Sequence, residues 1–381
     1  MDKRARPSSS SGKGDNRPRG TRGGQVRARP VVRTTPVTSA ERSRPAHPPR
    51  TLRRLLVAAL ERRRSLIDSG RTRAFRAFSG EVDGVEGLYI DVYGEGAVLI
   101  VYEGRVPAGF NASHEAATVL DVLRGLGVRA VYLKPFAKDR SKLGGALPEV
   151  VTERTPAAGE PVAEGLLVRE LDWRLEVRLY DGLSTGVFLD QRENRGWVRD
   201  WCATRIGRGE SARVLNTFAY TCAFSVAAAR AGAETTSVDV SSRYLEWGKR
   251  NLERNGIDAD AHRFAQMDTF EFLSYAQRKG LVYDMVVLDP PSFAAGSRKD
   301  RIAPWSAVSD YARLVAAAAK VVAPGGAVLA STNTSELCRE GRLDKEIVKG
   351  LGKKPRWIEL PAAPLDFAGE RDRFAARAFV V

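Results

Sequence analysis

The 381-residue chain is 43% hydrophobic and 28% charged, enough for two compact domains and some further segments, and it carries a formal net charge of +15. No run approaches the roughly 20 apolar residues that span a bilayer, and the start, Met1-Asp-Lys-Arg, lacks the apolar stretch of a secretory signal. Three scattered cysteines (Cys202, Cys222, Cys338) and three histidines (His47, His114, His262) show neither disulfide nor metal-ligand spacing, so a soluble cytoplasmic protein without metal or membrane partner is expected.

Residues 1–50 hold 13 Lys/Arg against three acids, so +10 of the +15 sits there. Rich in Pro, Ser, Gly and Arg, this tail is expected to be disordered. Arg19-Gly-Thr-Arg22-Gly-Gly24 has the Arg/Gly character of segments that follow RNA through phosphate contacts. A solubilising tail is the plainer reading, and a transit peptide is a third, which the Gly and Pro content opposes. Over 51–67, apolar residues at helical spacing (Leu52, Leu55, Leu56, Ala59, Leu60) between arginines predict a short basic amphipathic helix. Residues 68–182 read as a small α+β domain, with a hairpin at 87–102, a helix near 114–126 and strands near 128–133, 166–171 and 175–179. From 183 to 381 strands alternate with helices: 214–216, 235–240, 262–266, 285–288 and 327–331, closed by 356–360 and 374–381. Such alternation predicts a doubly wound parallel sheet with the last two strands as an antiparallel edge. Pro324-Gly-Gly326 is read as the turn before the fifth strand.

Met285 to Leu288 form an apolar run that ends in Asp289-Pro-Pro-Ser-Phe293. Two prolines can neither extend a ladder nor begin a regular helix, so the chain must stop at the sheet's carboxyl edge, where open α/β sheets bind ligands. Asp289 and the proline carbonyls can accept hydrogen bonds from an amine on a planar base, and Phe293 can stack on it. Asn216, Asp239 and Asp268 fall at the carboxyl ends of the preceding strands. Asp239 is placed to accept from ribose hydroxyls and Asp268 to meet an adenine amine; each could instead cap the helix that follows. The strand-to-helix loop at 216–222 does not match G-x-G-x-x-G, which counts against a pyrophosphate ligand.

Together these residues resemble the class I S-adenosylmethionine-dependent methyltransferases of large-subunit ribosomal RNA, of the cytosine-C5 methyltransferase I and guanine-N7 methyltransferase K/L type. The resemblance covers roughly 68–381. It rests on Glu81-Val-Asp-Gly-Val-Glu-Gly-Leu-Tyr-Ile-Asp91, Thr185-Gly-Val-Phe-Leu-Asp-Gln-Arg192-Glu-Asn-Arg195, Asn216-Thr-Phe-Ala-Tyr-Thr-Cys-Ala-Phe224 and Asp289-Pro-Pro-Ser-Phe293. It implies a Rossmann-like, doubly wound, seven-stranded α/β fold, S-adenosyl-L-methionine as cofactor and RNA as partner. Asn216, Phe218, Tyr220 and Cys222 would surround the methionine part, Asp239 the ribose and Asp268 the adenine, with Arg192 as a wall. Asp289, Pro290 and Phe293 would hold the acceptor, and Asp289 would border the cofactor as well. Cys222 stands where the family commonly has glycine, and members often begin with an RNA-binding PUA domain, whereas the first 50 residues here are expected to be disordered.

Methylation of cytosine at C5 needs a thiolate that adds to C6. In C5 enzymes of the family this cysteine follows the fifth strand, but here Ala330-Ser-Thr-Asn-Thr-Ser335 stands there and Cys338 comes late. A nitrogen acceptor needs no such nucleophile, so guanine N7 is preferred to an exocyclic amine, with Lys299 or Arg301 reaching phosphates. The alternatives are a cytosine-C5 enzyme using Cys338 and a non-catalytic RNA-binding assembly factor.

Overall fold

The computed structural model describes residues 49–136, 149–296, 303–370 and 372–381; the basic tail, Lys299 and Arg301 lie outside them. Helices α1 (Pro49–Arg62) and α2 (Arg64–Asp68) open the described chain. The amphipathic segment expected at 51–67 is therefore helical but broken at Arg63. Its stripe of Leu52, Leu56 and Ala59 belongs to the core of the small domain, packed with Val119, Leu120 and Leu123, so it is no separate cationic arm. Arg63 is itself buried, with its guanidinium on Asp83 at 2.7 Å.

Five strands make the small sheet in sequence order: β1 (Ala74–Ser79), β2 (Leu88–Tyr93), β3 (Gly96–Tyr102), β4 (Ala130–Phe136) and β5 (Ala158–Gly159). All pairs are antiparallel except β3 with β4, which the crossover helix α3 (Ala112–Leu123) joins in parallel. A hairpin follows, β6 (Leu166–Glu170) with β7 (Trp173–Val177).

Alternation then sets in, with α4 (Arg192–Gly207), β8 (Arg213–Thr217), α5 (Ala223–Arg230), β9 (Glu234–Asp239), α6 (Ser242–Glu253), β10 (Arg263–Gln266), α7 (Thr269–Arg278) and β11 (Tyr283–Leu288). After the short pair β12 (Phe293–Ala294) and β13 (Trp305–Ser306) come α8 (Ala307–Ala319), β14 (Val322–Thr332), α9 (Ser335–Cys338), α10 (Arg342–Leu351), β15 (Arg356–Ile358) and β16 (Ala375–Val380). The large sheet has the order β10-β9-β8-β11-β14-β16-β15. Strand order reverses between β8 and β11, which opens a crevice at their carboxyl ends. Every residue of β11 is buried, as expected of a central parallel strand covered on both faces by helices.

Two sequence expectations shift. Only β16 runs antiparallel, inserted between β14 and β15, so the final pair is not an antiparallel edge as a unit. Pro324-Gly-Gly326 lies within β14: Tyr283 pairs with Val322 and Met285 with Ala327, so the three residues bulge out of the ladder. Among the described residues no helix is long and apolar enough to cross a membrane, and no group of three or more His, Cys, Asp or Glu could hold a metal ion.

Candidate active site

From β8 the chain turns into α5 through a loop in which Phe218, Tyr220 and Cys222 all have φ between 49° and 61°. Only two other described non-glycine residues, Leu171 and Asp372, share this left-handed backbone, and such strain concentrates where a loop must approach a ligand. The neighbouring strand holds the loop in place. Ala219 N donates to Val238 O at 2.9 Å, and Tyr220 N donates to Asp239 Oδ2 at 2.9 Å. The other oxygen of Asp239 accepts from Ser241 N. Burial raises the pKa of Asp239, while these amide donors oppose the shift. Its carboxylate therefore marks the end of β9 and stays beside the loop. Aromatic rings continue the rim: Phe218 and Phe270 each stand 5.9 Å from the Trp305 ring, and Tyr220 meets Phe188 at 5.4 Å.

Asp289 ends β11 and is half-buried. Gln191 Nε2 at 2.8 Å and Ser331 Oγ at 2.7 Å both donate to its Oδ1. Burial raises its pKa, and those two donors partly offset the shift. The turn beyond it is clamped, with Pro290 buried and Pro291 O accepting from Trp305 Nε1 at 2.7 Å. One lone pair of that carbonyl is thus already taken by the indole. Phe293 is 68% exposed. Phe188 at 45%, whose ring meets Tyr220, and Val240 at 48%, just past β9, are further exposed apolar side chains near the strand ends.

Asp190 was not singled out in the sequence, although it lies within the Thr185–Arg195 stretch. Burial first, and the charge of Asp289 second, push its pKa up to about 7. It borders a 390 Å³ cleft between the small domain and the sheet edge, lined also by Tyr93, Tyr102, Lys134, Tyr220 and Asn333. A second cavity of 460 Å³ lies on the other side of Asp190, among α9, α10, β15 and β16, and includes Cys338. It is the larger of the two, but no residue of the β8–α5 loop lines it, whereas Tyr220 of that loop and an aromatic wall line the cleft, so the cleft is the better acceptor site.

Phe218, Tyr220, Asp239, Asp289 and Pro290 therefore all lie at or just past strand ends at the carboxyl edge of the sheet, and the exposed Phe293 follows them in the chain. Four predicted residues are engaged elsewhere. Arg192 is 1% exposed and makes two 2.9 Å bonds to the Asp366 carboxylate and one of 3.0 Å to Ala74 O, so it clamps the two sheets together and lines neither of these cavities. Asn216 is buried, with its amide on Ser225 Oγ at 3.0 Å, beneath the loop. Cys222 faces α6: a Cβ added at Gly248 would come within 2.2 Å of its sulfur. Asp268 caps α7, its Oδ1 accepting from Phe270 N and Glu271 N. Gln191, Ser331 and Trp305 gave no sequence signal, because their roles arise from contacts across 14 to 140 residues of chain.

The profile of a family described as S-adenosylmethionine-dependent methyltransferase matches residues 149–350. Among curated proteins, a ribosomal RNA large subunit methyltransferase of Deinococcus radiodurans is 33% identical over 298 residues, which cover 75% of this chain and 66% of that one. Ribosomal RNA large subunit methyltransferase I of Aeromonas salmonicida is 32% identical over 73% of this chain and 65% of its own length, so the match falls just short of two thirds of these relatives. Among solved structures, SMU.776 in complex with SAH superposes with a TM-score of 0.73 at 28% identity, covering 89% of this chain and 83% of that one.

Proposed function

Because the chain belongs to the S-adenosylmethionine-dependent methyltransferase family, we propose that it methylates a ring nitrogen of a base in large-subunit ribosomal RNA, guanine N7. S-adenosylmethionine is the cofactor, and its sulfonium supplies an electrophilic methyl group. The exposed apolar side chains and aromatic row suit an adenosine carrying no phosphate, and Asp239 at the end of β9 suits its ribose hydroxyls. The names of the two relatives support ribosomal RNA as the substrate class. A cleft with aromatic walls beside two carboxylates supports a base turned out of its stack. A cytoplasmic location accords with that substrate and with three free cysteines.

One observation carries the choice of nitrogen: no thiolate stands beside Asp289. Ser331 occupies the neighbouring position, and Cys338 lies on α9 with its sulfur 3.4 Å from Thr332 O. Burial pushes the Cys338 thiol up to about 12, and it does the same to Cys202 and Cys222. Such thiols favour the protonated form at neutral pH, which counts against a resting thiolate ready to add to a cytosine ring. Guanine N7 has a lone pair already, so alignment supplies much of the acceleration. The ring becomes positive as the methyl group arrives, and the Asp289 and Asp190 carboxylates stabilise that charge. Asp190 also favours a second reading, transfer to an exocyclic amine, since a carboxylate near neutrality can take up the released proton.

Cys338→Ala tests the choice directly. Methyl transfer from labelled S-adenosylmethionine to large-subunit ribosomal RNA is expected to stay within about twofold of the parent, whereas a loss of roughly 10³-fold or more would establish a cysteine nucleophile.

A further inference from the structure

The cleft contains a group that the proposed methyl transfer leaves unused. Lys134, on β4, lines it while being 1% exposed, and its Nζ donates to Leu183 O at 3.2 Å. Burial lowers the lysine pKa to about 7, against the pull of Asp181 and Asp91. Both acids serve other cations: Asp91 holds Arg76, and Asp181 holds Arg178 and Arg243. Arg76 from β1, Asp190 from the turn before α4, and the phenols of Tyr93, Tyr102 and Tyr220 complete the titratable lining. Beside Lys134 on the same two strands, the Tyr102 and Phe136 rings stack at 4.8 Å with 19° between their planes. A buried amine lining an aromatic cleft that also holds the Asp190 carboxyl has the donor and acceptor pattern of a base-reading pocket.

We propose that Lys134 selects the acceptor base: its amine donates a hydrogen bond to O6 of a guanine in the cleft, while the Asp190 carboxylate accepts from the ring N1–H. This rests on the guanine reading above and adds the residue that enforces it. Adenine presents an amine at the same position, which would leave a buried donor facing a donor. Lysine suits the task better than arginine. An amine able to shed its charge near neutrality does not oppose the positive charge that the ring gains, whereas a guanidinium stays charged throughout.

The test uses the full chain, labelled S-adenosylmethionine and transcripts of large-subunit ribosomal RNA made with guanosine or with 6-thioguanosine, with products identified by nucleoside mass spectrometry. Wild type is expected to form 7-methylguanosine and to lose about tenfold in kcat/KM on the thio transcript, where the oxygen acceptor is gone. Lys134→Met is expected to raise the KM for RNA about tenfold with kcat largely kept, and to show no further thio penalty. Lys134→Arg should keep KM and lower kcat, a split that a purely structural lysine would not produce. Equal thio penalties in wild type and Lys134→Met, or an unchanged KM in Lys134→Met, would overturn the assignment. The wild-type thio measurement does so alone if the variants do not fold. A 5-methylcytosine product would instead remove the guanine reading itself, so the two failures are distinguishable.

Discussion

Two carboxylates that feel each other's charge resist ionising together, and at the edge of the sheet it is Asp190 that gives way to Asp289. The consequence for stability has a definite sign. The folded state keeps the Asp190 proton up to about pH 7, while the unfolded chain releases it near pH 4, so this residue's contribution is fully present below pH 4, declines from 4 to 7 and is lost above. Asp190→Asn cannot ionise. It is expected to match the parent near pH 4 and to exceed it by ~2 kcal/mol at pH 8 in urea unfolding, allowing for partial exposure; equal curves at both pH values would count against the raised pKa. Asp289→Asn keeps shape and removes charge. A drop of roughly 10²-fold in kcat is expected, with S-adenosylmethionine affinity within about threefold by calorimetry. Asp289 was legible because two prolines announce a strand end. Asp190 was not, because its environment is made by two domains meeting, which no local spacing encodes.

The loop between β8 and α5 shows what an element can conceal. A β-carbon at φ 61° costs Cys222 roughly 1–2 kcal/mol, which explains why glycine is the easier residue there. Its side chain is accommodated because α6 presents Gly248, where any Cβ would meet the Cys222 sulfur. The two positions form one packing unit, so their substitutions should not add. Gly248→Ala alone is expected to cost about 1–3 kcal/mol through overpacking, and Cys222→Gly in the same chain to restore most of it, as read by thermal unfolding. Additive effects would separate the two sites. The departure at Cys222 was visible in the sequence, but its partner was not, since Gly248 sits 26 residues on, in α6. Helices and strands themselves were legible from apolar period and from turns. The bulge at Pro324 was missed because a proline and two glycines normally end a strand, and here the ladder resumes after looping out.

Over the whole molecule, the small domain and the large sheet are joined by a buried ionic knot. Asp366 is fully buried and binds both Arg192 terminal nitrogens, and it also accepts from Arg76 N at 2.8 Å. Arg192→Leu leaves that carboxylate without its cation, an expected loss of about 3–5 kcal/mol by urea unfolding. Affinity for S-adenosylmethionine should stay within about twofold; a tenfold weakening would return Arg192 to the cofactor wall. The sequence displayed Arg192 directly after the proposed site residues Asp190 and Gln191, and nothing in a linear reading separates a clamp from a ligand contact when the turn before α4 supplies one and the first residue of α4 the other. The cleft owes its existence to this knot, since one wall comes from each domain. Whether it serves a guanine nitrogen is decided most directly by mapping modified nucleosides in large-subunit ribosomal RNA from a strain lacking the protein, against its parent. Loss of one 7-methylguanosine is the expected result, and loss of a 5-methylcytosine, or of no modification, would contradict it.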